Sequence, residues 1–396
     1  MKLTLPVLPP ERPAFPPPAA VRLSEPMLRF RCNQKGCCCS GWDIPFRVED
    51  FVRLHEHLAP EERGSLTRGI QVVLEQGSDP DVRTLHSLKL DGVGEDRACR
   101  FLKPAGECSV HTRYGLEALP DLCVDFPAFS YRQGDRVDLW FDPVCPEVIE
   151  RLDESEAPLR VHEQRGAFGD PGLDLRVAHT ADRLGGTIAG RLVAPEALDR
   201  ICELSCAAFA APDRPVWKTL LALAHACRRL RPGNEAAFEV VEPEDPRPFL
   251  RFLSDSVGAH GADLLAAAAV RYRRFVHAID PAPLLTSTRL AGALQDWPLA
   301  LERWVGPQET ALWPLASRWL AHRFAMPMLR ARGDLREGCD GIVHLYATSL
   351  RYAAAFGEVL QTPVDRRLYK VAIGAAEFFY RSLNLPRDVL PWFASA

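Results

Sequence analysis

Twelve cysteines stand in this chain of 396 residues, and eight of them fall between residues 32 and 145. They are the side chains best suited to do chemistry. The first group is Cys32-x4-Cys37-Cys38-Cys39, followed by Ser40-Gly41-Trp42. The second is Cys99-Arg100-Phe101-Leu102 with Gly106-Glu107-Cys108-Ser109-Val110-His111. A third cysteine, Cys123, precedes Phe126-Pro127, and a fourth group is Cys145-Pro146-Glu147. Thiolates are soft ligands that select zinc, Cu(I) or iron–sulfur clusters over hard cations. A tetrahedral zinc or a four-iron cluster takes about four of them. Eight candidates exceed one site, so either two metals bind, or some cysteines only pack, or one site has alternate ligands. In an extended chain neighbouring side chains point opposite ways, so Cys37-Cys38-Cys39 supplies at most two ligands to one metal. The spacing does not single out four ligands, and a purely structural metal stays open beside a catalytic one.

Other groups near these cysteines have weaker claims. His111 lies three residues past Cys108 and could complete a mixed-ligand site, or simply be a hydrogen-bonded loop histidine. Trp42 and Phe126 could cover a cluster and tune solvent access. Asp43, Asp125 and Asp142 are candidate acid–base groups, against the ordinary reading of solvated loop carboxylates. Cys202, Cys206, Cys227 and Cys339 lie in helical sequence, where a lone cysteine usually behaves as a small hydrophobe. Cys202 and Cys206 share a helix face, but no third cysteine follows three residues later, so the radical-type cysteine triplet is absent.

The elements that must position these residues divide the chain. Residues 1–20 carry seven prolines and read as an extended arm. Residues 21–155 are rich in Gly, Pro, Cys and aromatics, which predicts a small, irregular, cysteine-rich metal-binding module. Within it, Val48, Phe51, Leu54 and Leu58 predict one amphipathic helix, and Ser130–Phe141 with Gly134-Asp135 predicts a hairpin. Residues 156–190 are a glycine-rich connector with at most short elements. Residues 191–396 form a helical domain, with helices expected near 195–211, 214–230, 246–256, 262–278, 308–325, 341–356 and 363–383. For the last, Thr362 is the expected cap, with Pro363 in the first turn, Asp365 at the positive end, and Leu368, Val371, Ala375 and Phe378 as its apolar stripe. The expected fold is therefore mainly α.

Composition narrows the function classes. Apolar residues make up 47% and charged residues 25%, the profile of a soluble globular protein. A net charge of −4 offers no basic excess for nucleic acid or an anionic membrane. No apolar run reaches membrane-spanning length, and the proline-broken start Met1–Pro10 is not a secretory signal. A cytoplasmic location is the resulting expectation, and there thiols stay reduced and clustered cysteines read as metal ligands. Gly185-Gly186-Thr187-Ile188-Ala189-Gly190 follows no convincing strand and reads as a turn. No Walker, HExxH or GxSxG motif is present, so nothing supports a Rossmann-type nucleotide-binding fold.

In the order of these groups the sequence resembles the zinc- or iron-chelating cysteine-cluster family that opens with a CxxCxxCC-type motif. Cys38-Cys39-Ser40-Gly41-Trp42, Cys123-x2-Phe126-Pro127 and Cys145-Pro146-Glu147 are most similar to its flagellin lysine-N-methylase branch. The motifs span about a third of the chain, residues 28–150. The opening departs from the family pattern, leaving Cys37 or Cys38 as the second ligand. The resemblance implies an iron–sulfur cluster, S-adenosylmethionine as methyl donor and a protein lysine, flagellin-like, as substrate. It names no catalytic or cofactor-binding residue in this chain. The alternative is a non-catalytic zinc- or iron-chelating protein.

Overall fold

The computed structural model describes residues 2–4, 19–31, 39, 44–76, 82–93, 98–104, 106–155, 157–165, 178–180, 187–211, 214–247, 251, 255, 261–272, 287–325 and 334–382. Most of the proline-rich arm, Cys32, Cys37, Cys38, Trp42, Asp43, Gly185, Gly186 and most of the helix expected at 246–256 lie outside them.

In the first half of the chain the elements are β1 (Lys2–Thr4), β2 (Ala20–Ser24), β3 (Ile44–Phe46), α1 (Val48–His57), α2 (Pro60–Arg68), β4 (Ile70–Gln76), β5 (Val82–Leu90), α3 (Ser109–Tyr114), α4 (Asp121–Asp125), β6 (Ala128–Gln133), β7 (Arg136–Phe141) and α5 (Pro146–Glu154). Then come β8 (Val161–Arg165), β9 (Ala178–Thr180), β10 (Thr187–Ile188) and β11 (Arg191–Leu192). The larger helices beyond them are α6 (Pro195–Ala208), α7 (Val216–Arg229), α8 (Ala262–Arg271), α9 (Ser287–Gln295), α10 (Glu309–Phe324), α11 (Leu335–Leu360) and α12 (Arg366–Ser382). The C-terminal region is helical, as its periodicity implies. No helix among the described residues is long and apolar enough to cross a membrane.

The cysteine-rich half is not irregular, and this corrects the sequence reading. It holds two sheets. In the first, β4 runs antiparallel along β5, β1 pairs parallel with Val82–Thr84, and β3 pairs antiparallel with Leu88–Leu90. In the second, the order is β8-β2-β7-β6-β9. The β6–β7 hairpin forms where expected, while β2 joins it from more than a hundred residues away, parallel to β7. Segments of the 156–190 connector supply the edge strands β8 and β9.

Two buried clusters organise these elements. The larger one runs across the 155 and 190 boundaries: Val21, Leu139, Phe141, Val148 and Leu152 pack with Ile201, Leu220, Trp319, Phe356 and Phe378. The smaller one gathers Ile44, Leu54, Leu58, Leu66, Leu88, Leu90, Phe101, Val110, Ala118 and Leu119. Each large apolar side chain withdrawn from water in them contributes about 1.5–3 kcal/mol. In α1 the predicted face is the one that packs, with Leu54 and Leu58 buried and Val48 and Phe51 half-buried. Val371, Ala375 and Phe378 of α12 are buried and Leu368 packs at the margin. The cap of α12 is Asp365 rather than Thr362: its carboxylate accepts from the Leu368 amide at 2.8 Å, so the helix starts three residues later than expected. Gly374 in α12 admits Tyr272, whose hydroxyl would overlap any Cβ placed there.

His322 of α10 joins the helices to the second sheet. Its Nε2–H donates to the Phe141 carbonyl at 2.7 Å, which leaves Nδ1 to accept from the Ser24 hydroxyl at 2.9 Å. Burial pushes this imidazole down to about 4, and the nearby Arg323 adds to the shift. The unfolded chain therefore takes up a proton near pH 6.5 that the native state refuses until about pH 4. This contribution to stability is whole above pH 6.5 and is lost as pH falls toward 4, about 3 kcal/mol in all. Urea melts between pH 7 and 4 are expected to show that loss, with a His322→Gln variant giving a shallower slope. Equal slopes in the two proteins would contradict it.

Candidate metal centre

Sheet topology decides which cysteines meet. β3 begins beside the end of β5, because Ile44 pairs with Leu90. Cys39, just before β3, and Cys99, just after β5, therefore fall at one end of the sheet. The Cys99 amide donates to the Cys39 carbonyl at 2.6 Å. Cys99 then opens a turn in which the Leu102 amide donates to its carbonyl at 2.9 Å, and Leu102 bridges to Cys108. Cys99 and Cys108 thus lie on one compact loop, fastened by the Ser109 amide on the Phe101 carbonyl at 2.7 Å. Cys108 caps α3, one turn before the half-buried His111.

A second end-of-hairpin arrangement brings in the other two groups. Ala128 at the start of β6 pairs with Phe141 at the end of β7. The segment leading into β6, Cys123 to Pro127, and the segment leaving β7, Asp142 to Cys145, accordingly lie at the same end. The Asp142 amide on the Pro127 carbonyl at 2.8 Å ties them. Asp142 is buried and its carboxylate accepts from the Val144 amide at 2.9 Å, while its carbonyl accepts from the Cys145 amide at 3.0 Å. It shapes the turn that presents Cys145, which is a different task from that of a solvated proton acceptor. Cys145 caps α5 at the positive end of its dipole, a favourable place for an anionic ligand.

These positions span the two cores. Cys99, Cys108 and Cys123 pack against the smaller cluster; Cys145 and Phe126 pack against the larger. All five described cysteines of this half, Cys39 included, are half-buried, in loops or short helices. The four helical cysteines differ: Cys202, Cys206, Cys227 and Cys339 are buried, and burial pushes the Cys206 thiol up to about 12 and the Cys202 thiol higher. A thiol held protonated in a core makes a poor ligand. Among the described residues no three His, Cys, Asp or Glu side chains gather closely enough to hold a metal ion. The donors themselves, soft sulfur at half-buried loop positions at the ends of two sheets, are of the type that zinc or an iron–sulfur cluster takes.

A support for this region was not legible in the sequence. Asp50, buried in α1, accepts from the Arg47 amide at 3.2 Å, from the Asp121 amide at 3.2 Å and from the Arg53 guanidinium at 2.6 Å. Arg53 also donates to Asp121 at 2.8 Å. One carboxylate thus fastens α1 to the first turn of α4, the helix that carries Cys123. A signal existed in the acidic third position after Arg47, which reaches back to the helix entry. Asp50→Ala is expected to cost about 1–3 kcal/mol by stranding these donors and to hasten loss of metal to a chelator. Asp50→Asn keeps an acceptor and should recover part of both. Unchanged chelator kinetics in Asp50→Ala would remove this positioning role.

No family model matches the chain, and no curated protein or solved structure matches it.

Proposed function

We propose that the protein is an iron–sulfur-dependent protein lysine N-methylase that uses S-adenosylmethionine, with a flagellin-like protein as substrate. The observation that supports this most is the convergence of separated cysteine segments at two strand ends, tied by the Cys99–Cys39 backbone bond and the Asp142–Pro127 bond. Their order in the chain resembles that of the cysteine-cluster family, and the Cys38–Trp42, Cys123–Pro127 and Cys145–Glu147 motifs resemble its lysine-methylase branch. Cys99, Cys108, Cys123 and Cys145, with members of the Cys32–Cys39 group, are the residues that would hold the cluster. Held there, the cluster and S-adenosylmethionine would supply methyl transfer from a sulfonium to a neutral lysine amine, with S-adenosylhomocysteine as the leaving group. The protein's part is alignment: effective molarities for oriented groups reach about 10⁵–10⁸ M. The described thiols of this half are half-buried, so each keeps some access to solvent.

One observation favours a second reading, a non-catalytic zinc- or iron-chelating protein. The cysteines straddle the two cores, so a metal there would also serve as a fastener between them. Reconstituted protein incubated anaerobically with methyl-labelled S-adenosylmethionine and flagellin, then with lysate from its own source, separates the two. Label on lysine supports the methylase. Absence of labelled lysine with both substrates, together with no S-adenosylmethionine binding by calorimetry, leaves the chelating reading.

A further inference from the structure

The order β8-β2-β7-β6-β9 leaves β8 at a margin of the second sheet, paired on one side only among the described residues. Its ladder shows which backbone groups face outward. The Glu25 amide donates to the Arg160 carbonyl at 2.8 Å. The register then runs on with Ser24 opposite Val161, Arg22 opposite Glu163 and Ala20 opposite Arg165. Bonded and non-bonded pairs alternate along an antiparallel ladder. Glu25 and Arg160 are a bonded pair, so His162 and Gln164 turn their backbone groups toward β2. Val161, Glu163 and Arg165 turn theirs away from the sheet. The Glu163 and Arg165 side chains are 38% and 85% exposed and pair at 3.1 Å along the strand. An edge with outward N–H and C=O groups is a template for another strand, and the charges on it decide which strand fits.

We propose that a second copy of this chain docks on this edge, β8 antiparallel to β8 about a two-fold axis, so that one sheet runs through both copies. Only residues with outward backbone groups can bond across the joint, so Val161, Glu163 and Arg165 must oppose one another. One register sets Gln164 on the axis and places Glu163 of each copy opposite Arg165 of the other. A second bonds one further pair but sets the two Glu163 carboxylates against each other. A third sets His162 on the axis and leaves Glu163 opposite Val161. Opposite charges that face across a ladder are stabilising and like charges are destabilising. Charge complementarity therefore selects the first register, in which the strand is its own partner. The contact uses the same strand from both copies and closes at a dimer.

The test is sedimentation velocity on the full-length, metal-loaded protein over a concentration series, with reductant present so that no disulfide joins two chains. The expected result is a reversible monomer–dimer equilibrium. Glu163→Arg and Arg165→Glu should each raise the dimer dissociation constant about tenfold or more, because each sets like charges opposite one another twice. The double variant Glu163→Arg with Arg165→Glu should restore dimerisation, since it exchanges the charges and keeps them complementary. Glu163→Pro removes an outward N–H, leaves the bonds to β2 in place and should also give monomer. If the proline variant fails to fold, the exposed charge reversals still decide. A monomer at every concentration, a dimer indifferent to both single reversals, or a loss that the double variant does not restore would overturn the proposal.

Discussion

Glu377→Gln is expected to destabilise the native state by about 3–5 kcal/mol, because it leaves a buried cation without its counter-charge. Glu377 of α12 has no exposed surface. Its Oε1 accepts from Arg323 Nε at 2.7 Å and from the Trp319 indole at 2.7 Å, and its Oε2 pairs with the other end of the Arg323 guanidinium. Arg323 in turn lies 5.4 Å from the centre of the Trp140 ring, so the cluster joins α12, α10 and the second sheet. Gln keeps an oxygen for the indole and loses the charge. The expected loss is a large fraction of the stability of an ordinary domain. Chemical denaturation of the purified variant measures it. The double variant Arg323→Met with Glu377→Leu should recover much of the loss, since removing both charges strands neither. A single-variant loss under about 1 kcal/mol, no more than a surface pair supplies, would contradict this account.

The second large effect belongs to the cysteines. Replacing any true ligand among Cys99, Cys108, Cys123 and Cys145 with Ala is expected to lower the metal-to-protein ratio sharply and to loosen the region around the smaller core. Metal binding is folding free energy at such sites, about 10–16 kcal/mol for structural zinc in small peptides. Cys145 should transmit the loss to the larger core as well, because it packs there and caps α5. The control is Cys202→Ser with Cys206→Ser. These buried thiols are expected to be dispensable for metal, at a cost on the order of 1 kcal/mol for each hydroxyl left without a partner. If metal content and melting survive all four single Ala substitutions in the cysteine-rich half, that ligand set is wrong. If the Cys202 and Cys206 pair removes metal instead, the site lies on α6.

Legibility in the sequence tracks the range of the interactions. Local signals served well: the apolar spacing of Val48, Phe51, Leu54 and Leu58 marks α1, and Gly134-Asp135 marks the turn of the β6–β7 hairpin. The α5 helix carried its own signals, Pro146 at its first position and Val148, Ile149 and Leu152 on one face, but it is short and flanked by Pro143 and Pro158. The two sheets were not legible, because β2 finds β7 across more than a hundred residues and no local pattern encodes that pairing. The same holds for the buried group in which Arg22 bonds Asp138 at 3.1 Å and Asp199 at 2.8 Å, three residues brought together only by the fold. The sequence places this helix near 341–356, whereas α11 already begins at Leu335, where the Asp334 carboxylate accepts from the Arg336 amide at 2.9 Å. For the candidate centre, residue type named the cysteines. Only strand register revealed that Cys39 meets Cys99 and that Cys123 and Cys145 share one hairpin end.

The central claim, that the clustered cysteines hold an iron–sulfur group, is tested most directly by quantifying iron, acid-labile sulfide and zinc in protein purified without oxygen. The account predicts a brown preparation with iron and sulfide in matching amounts, lost together when the cluster cysteines are replaced. A colourless preparation holding zinc, or one that binds no metal after anaerobic reconstitution, would contradict it.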